Sequence, residues 1–119
     1  MKYLILPEPD AYFALEGKNN TAKRYFLDII DDFTSYRDLD KRVEQYFNYF
    51  NCKYWQQHTG HDFPEVVMIC PNSRSKKYLN DHINDALYYE SSNILFYLST
   101  WKEIKSQGLR KEVLHKVES

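Results

Sequence analysis

The chain has 119 residues, enough for one domain with one core and too few for two. Its hydrophobic fraction of 43% is that of an ordinary globular chain, and its formal net charge of -1 excludes the global basic excess of a non-specific nucleic-acid binder. Neither a secretory signal nor a membrane-spanning apolar run is recognisable, and Cys52 and Cys70 stand in unrelated contexts without metal-ligand spacing, a pattern of reduced thiols in a cytoplasmic protein.

In chain order, Met1 to Leu6 is a short apolar run stopped by Pro7 and Pro9. Ala11 to Glu16 reads as a strand, with Phe13 and Leu15 on one face and Tyr12 and Ala14 on the other. Turn residues from Gly17 to Thr21 lead into a second strand, Lys23 to Ile30, so the two form an antiparallel hairpin. The period then changes. Leu39, Val43, Tyr46, Phe47 and Phe50 recur at helical spacing from Asp38 to about Trp55, with Ser35 or Asp38 as the cap and Gly60 as the break. Pro64 to Cys70 is a near-continuous apolar run, the mark of a buried strand. A helix over Arg74 to Tyr89, a strand over Ile94 to Ser99 and a last helix over Trp101 to Val117, with an interruption at Gly108, complete the chain. The order β-β-α-β-α-β-α predicts an α/β fold, a mixed central sheet flanked by helices, in a single domain spanning 1–119.

Chemistry concentrates between Lys23 and Tyr46, where a strand runs into Asp28, Asp31 and Asp32 and a helix follows with Lys41 and Arg42. Asp10 opens the first hairpin strand, so it can meet Asp28 and Asp31 at one end of the sheet. Hard oxygen ligands so gathered suit Mg²⁺ or Mn²⁺, which can activate water against a phosphodiester, while Lys41 or Arg42 neutralises developing charge. The bland reading stands beside it: solvated strand ends and helix caps. Arg74, Lys76 and Lys77 at a helix start read either as a DNA-phosphate clamp or as a solvated basic turn. His58, His61 and Asp62 surround Gly60 without a third ligand at zinc spacing, and the basic residues from Lys102 to Lys116 read as one wet helix face. The 11 Tyr and 7 Phe cover half-buried surface or offer stacking faces to bases.

Pro9-Asp10, an acidic strand end and a basic residue, in the order hairpin, helix, strand, resemble the PD-(D/E)XK nuclease-like core. LPEPDAYFALEG, YFLDIIDDFT and DLDKRVEQYFNYF, with FPEVVMIC and NSRSKK later, are similar to the replication-relaxation family of plasmid and mobile-element proteins. The resemblance covers most of the chain. It implies a restriction-endonuclease-like fold and a role in plasmid replication or DNA relaxation, with Mg²⁺-dependent nicking by Asp10, Asp31 and Asp28, assisted by Lys41 or Arg42. DNA and replication proteins are the partners it implies, with no membrane. Members usually carry a winged-helix region ahead of this domain, which is expected to be missing here.

The departures define the alternative. Ile29 occupies a carboxylate position if Asp31 is the motif aspartate. Strand alternation would put Asp28 and Asp31 on opposite faces. Ile30 stands where the strand lysine belongs, and an arginine substitute holds phosphate but transfers protons poorly. A catalytically degenerate DNA- or protein-binding module is therefore the second reading. A homodimer formed through the aromatic surface is the third.

Overall fold

The computed structural model describes residues 6–17, 19 and 21–118, leaving aside the side chain of Lys111. The apolar run from Met1 thus lies largely outside the described residues. Strand β1 (Ala11–Glu16) pairs antiparallel with β2 (Ala22–Ile29). Helix α1 (Tyr36–Cys52) and the short α2 (Tyr54–Thr59) lead to β3 (Glu65–Cys70), which lies parallel to β2. Helix α3 (Ser73–Glu90) leads to β4 (Phe96–Thr100), parallel to β3. After α4 (Trp101–Gln107) and a 3-10 turn at Lys111–Val113, β5 (His115–Lys116) returns antiparallel to β4. The sheet order is β1-β2-β3-β4-β5, so the fold is α/β with a mixed sheet.

The chain steps across the sheet in one direction, and right-handed crossovers then put α1 and α3 on the same face. The core follows from that placement. Phe26, Val66, Met68, Phe96 and Leu98 from the strands meet Leu39, Val43, Tyr46 and Phe47 from α1 and Leu79, Ile83 and Leu87 from α3. Each large side chain fully removed from water contributes about 1.5–3 kcal/mol. The two helices also touch: Tyr36 stacks on Tyr78 at 4.0 Å between centroids, and the Tyr78 hydroxyl donates to Asp40 at 2.8 Å. The opposite face carries an apolar groove of about 430 Å³, lined by Phe13, Tyr25, Leu27 and Tyr97 with Leu109 and Leu114.

Two helices differ from their sequence expectations. The helix expected to run to about Trp55 stops at Cys52, because Lys53 adopts a left-handed φ of 63° and a new turn of helix starts beyond it. The chain tolerates that conformation, which costs about 1–2 kcal/mol for a side-chain-bearing residue, while Trp55 joins the Tyr12 and Phe26 aromatic cluster. The helix expected to reach Val117 ends at Gln107, where Gly108 has a φ of 78°. Val113 and Val117 are buried, and the Val117 amide donates to the Phe96 carbonyl at 2.9 Å, so this segment closes the sheet edge instead of extending the helix. No helix among the described residues is long and apolar enough to cross a membrane.

Burial separates the two thiols. Cys70 lies inside the core, and burial pushes its pKa up to about 12, whereas Cys52 is exposed. A thiol reagent should therefore modify one cysteine in the native protein, Cys52, and reach Cys70 only on unfolding. Peptide mapping of the labelled protein checks this, and rapid native labelling of Cys70 would contradict the core described here.

Candidate functional site

The site starts from the hairpin register. Ala11 pairs with Leu27 and Tyr12 with Phe26, so one further step puts Asp10 opposite Asp28. The Asp10 carboxylate accepts the Ile29 amide at 2.6 Å and so finishes the ladder with a side chain. Asp28 shares the helix-facing side of β2 with Phe26, and only 5% of its side chain is exposed. Helix α1 passes over it with Arg42 and Tyr46 one turn apart on the same stripe. Arg42 Nη1 donates to Asp28 Oδ1 at 2.5 Å, and the Tyr46 hydroxyl donates to Asp28 Oδ2 at 3.3 Å. Both carboxylate oxygens are therefore engaged.

Asp31 lies beyond the strand. Its Oδ1 accepts the Phe33 amide and the Thr34 hydroxyl, each at 2.9 Å, which fixes the loop between β2 and α1. The loop removes the expected separation of faces. Asp28 and Asp31 line one open cavity of about 610 Å³, together with Lys41 and Arg42. Four carboxylates (Glu8, Asp28, Asp31, Asp38) face two cations there. This cavity sits at the carboxyl end of β2, beneath the first turns of α1.

Electrostatics distinguishes the carboxylates. Burial raises the Asp28 pKa above its ordinary value; Arg42 opposes the rise, Asp10 adds to it, and the Tyr46 hydrogen bond opposes it. Asp31 is shifted the other way by the Thr34 hydroxyl and the Phe33 amide. Burial and Asp28 together raise the Tyr46 hydroxyl pKa, so Tyr46 stays a donor.

All three aspartates already accept hydrogen bonds from the protein. Asp28 is taken by Arg42 and Tyr46, Asp10 holds a backbone amide, and Asp31 holds its own loop. Among the described residues no group of three His, Cys, Asp or Glu side chains is placed to hold a metal ion. His58 is occupied locally, with Nδ1 at 2.9 Å from the Tyr54 carbonyl oxygen and its ring on Tyr54.

The three basic residues of α3 separate in space. Lys76 points into a polar cluster: its Nζ donates to Glu103 at 2.9 Å and also meets His115, while Glu103 Oε2 lies 3.5 Å from His115 Nε2. Lys77 pairs with Asp81 at 3.4 Å on an exposed face, and Arg74 is exposed at the first turn of α3. The sequence gives no role to Phe33, the most exposed large hydrophobic among the described residues, or to Glu8, and Tyr46 enters it only as a spacing marker. A phenylalanine between acidic and hydroxyl residues, outside any apolar period, was the available signal for Phe33.

Two stability predictions follow from these pairings. An aspartate with a raised folded pKa contributes stability that is present below its unfolded value and lost as pH rises through the folded value. Asp28→Asn should thus match wild type near pH ~3, where Asp28 is protonated, and exceed it near pH ~7. Thermal melts across that range check the trend, and its reversal would mean that the Arg42 pair outweighs burial. Glu103 behaves oppositely: the Lys76 hydrogen bond lowers its pKa, so its contribution is present above the unfolded value and lost as pH falls through the folded one. Lys76→Ala should cost about 1 kcal/mol or less in melts at neutral pH, with the difference shrinking in acid.

Comparison with known proteins yields no match, since neither a family model, nor a curated protein, nor a solved structure corresponds to this chain.

Proposed function

We propose that this is a DNA-processing domain of the kind that plasmids and mobile elements use in replication or relaxation, acting as a binding module whose nuclease-like site no longer assembles a metal centre. The carrying observation is the Asp28, Arg42 and Tyr46 cluster. An arginine occupies the carboxylate that a divalent cation would need. A guanidinium carries five N–H donors in a rigid fork, and the bond to Asp28 is through Nη1. The other donors, beside Lys41 on the cavity wall, suit a backbone phosphate. Asp28 then serves as a positioning residue, holding Arg42 at the mouth of the cavity.

Two further features support a binding role. A buried carboxylate whose ionisation costs stability is more economically explained by function than by folding. A neighbouring hollow at the carboxyl ends of β3 and β4 adds Lys105, in the last turn of α4, and Arg74 is exposed at the first turn of α3. The acidic excess of the cavity itself favours Mg²⁺-dependent nicking as the second reading, because a divalent cation would balance it. That chemistry requires Arg42 to leave Asp28.

The two readings separate in one experiment. Fluorescence anisotropy with labelled DNA should give binding that persists in EDTA. Arg42→Ala should weaken it about tenfold and reduce the salt slope by about one. Plasmid nicking that requires Mg²⁺ or Mn²⁺ and disappears in Asp28→Asn would establish the nuclease reading instead. Wild-type protein that binds no DNA under any condition would remove both.

A further inference from the structure

The loop between β2 and α1 exposes an aromatic ring that neither the core nor the carboxylate cluster uses. Phe33 is 96% exposed. Single exposed apolar residues are ordinary on protein surfaces, so exposure alone decides nothing. Phe33 differs in being held in place and in what surrounds it. Its own amide and the neighbouring Thr34 hydroxyl are both bonded to Asp31, so the backbone beneath the ring is fixed. The ring borders the cavity that contains Lys41 and Arg42.

The same loop borders a second hollow. Asp32 lines a cavity of about 350 Å³ with Pro71, Trp101 and Lys105, at the carboxyl ends of β3 and β4. Trp101 is also among the exposed large side chains. At the carboxyl ends of β2 to β4, therefore, an exposed aromatic accompanies a basic side chain twice, Phe33 with Arg42 and Trp101 with Lys105, among the carboxylates of Glu8, Asp28, Asp31, Asp38 and Asp32 that line the same hollows. Alternating π faces and cations suit a strand whose bases are unpaired, with bases stacking on the rings and phosphates on the cations. A duplex keeps its base faces buried in its own stack and offers them to neither ring. A protein partner would find isolated rings set among charges, without a continuous apolar surface.

The geometry points to single-stranded DNA as the substrate class of this end of the sheet, with Phe33 as a base-stacking residue and Trp101 as a second platform. This rests on the DNA-binding reading above and specifies it. Lys41 and Arg42 supply attraction that any DNA shares, whereas Phe33 supplies the discrimination between unpaired and paired bases.

The test compares a labelled oligo-dT strand with a hairpin duplex of equal phosphate count, by anisotropy, for wild type, Phe33→Ala, Phe33→Trp and Arg42→Ala. Phe33→Ala should lose about tenfold on the single strand, the value of one stacked base, and almost nothing on the duplex. Phe33→Trp should restore single-strand binding, and Arg42→Ala should weaken both substrates. Oligo-dT should also quench Trp101 emission, read as the difference between wild type and Trp101→Phe. Unchanged single-strand binding in Phe33→Ala, or equal losses on both substrates, would overturn the stacking role while leaving the DNA-binding reading intact. Absence of binding by wild type would overturn both. A dimer that sedimentation detects in wild type and loses in Phe33→Ala would assign the ring to a second copy of the chain and overturn the proposal.

Discussion

The constraint on which this structure depends is the hand of its two crossovers. Three parallel strands laid down in one direction leave α1 and α3 no choice but to share a face. The aromatic-rich core is thick on that side, and α1 is pressed across β2 closely enough to cover Asp28. Among the described residues, the opposite face receives the C-terminal segment, and its apolar groove lies open between β1 and that segment. Had the strands reversed direction across the sheet, one helix would have moved to the other face.

Placed under α1, Asp28 stands between opposing forces. Desolvation disfavours its charge, while one cation and one hydroxyl favour it. The balance lies on the side of cost, yet the surroundings are built to keep the group hydrogen-bonded at both oxygens. A leucine or methionine of similar volume would satisfy the core more simply. What the carboxylate supplies is direction: it fixes a guanidinium that is itself one-third exposed. A positively charged side chain held at a cavity mouth differs from a free surface arginine because its conformational freedom is lost before any ligand arrives.

Much of this fold was legible from local pattern. Alternation in β1 separated Phe13 and Leu15 from Tyr12 and Ala14, and the helical period of α1 picked out Leu39, Val43, Tyr46 and Phe47. The errors came where two explanations share one spacing. Val113 and Val117 are four apart, as in a helix, yet each is buried for a different reason, the first at the end of a 3-10 turn and the second beside β4. Lys53 breaks a helix without glycine or proline to announce it. In the site, the hairpin register made the approach of Asp10 to Asp28 readable. The contact of Arg42 with Asp28 joins a strand to a helix across the core, and no local period encodes such a contact. Asp31 escaped the alternation rule because the strand had already ended.

The Asp10 bond to the Ile29 amide has a consequence for how the sheet is assembled. Strand β1 is an edge strand, and edge strands are prone to slip along their neighbours. A slip by one residue would turn Phe13 and Leu15 toward the helices and Tyr12 away from Trp55. It would also pull Asp10 off the amide that it now caps. The aromatic alternation and the terminal carboxylate therefore act as two independent checks on one alignment. An error that either rejects would also deprive Asp28 of its facing neighbour, so the electrostatic setting of the cavity exists only in the correctly aligned hairpin.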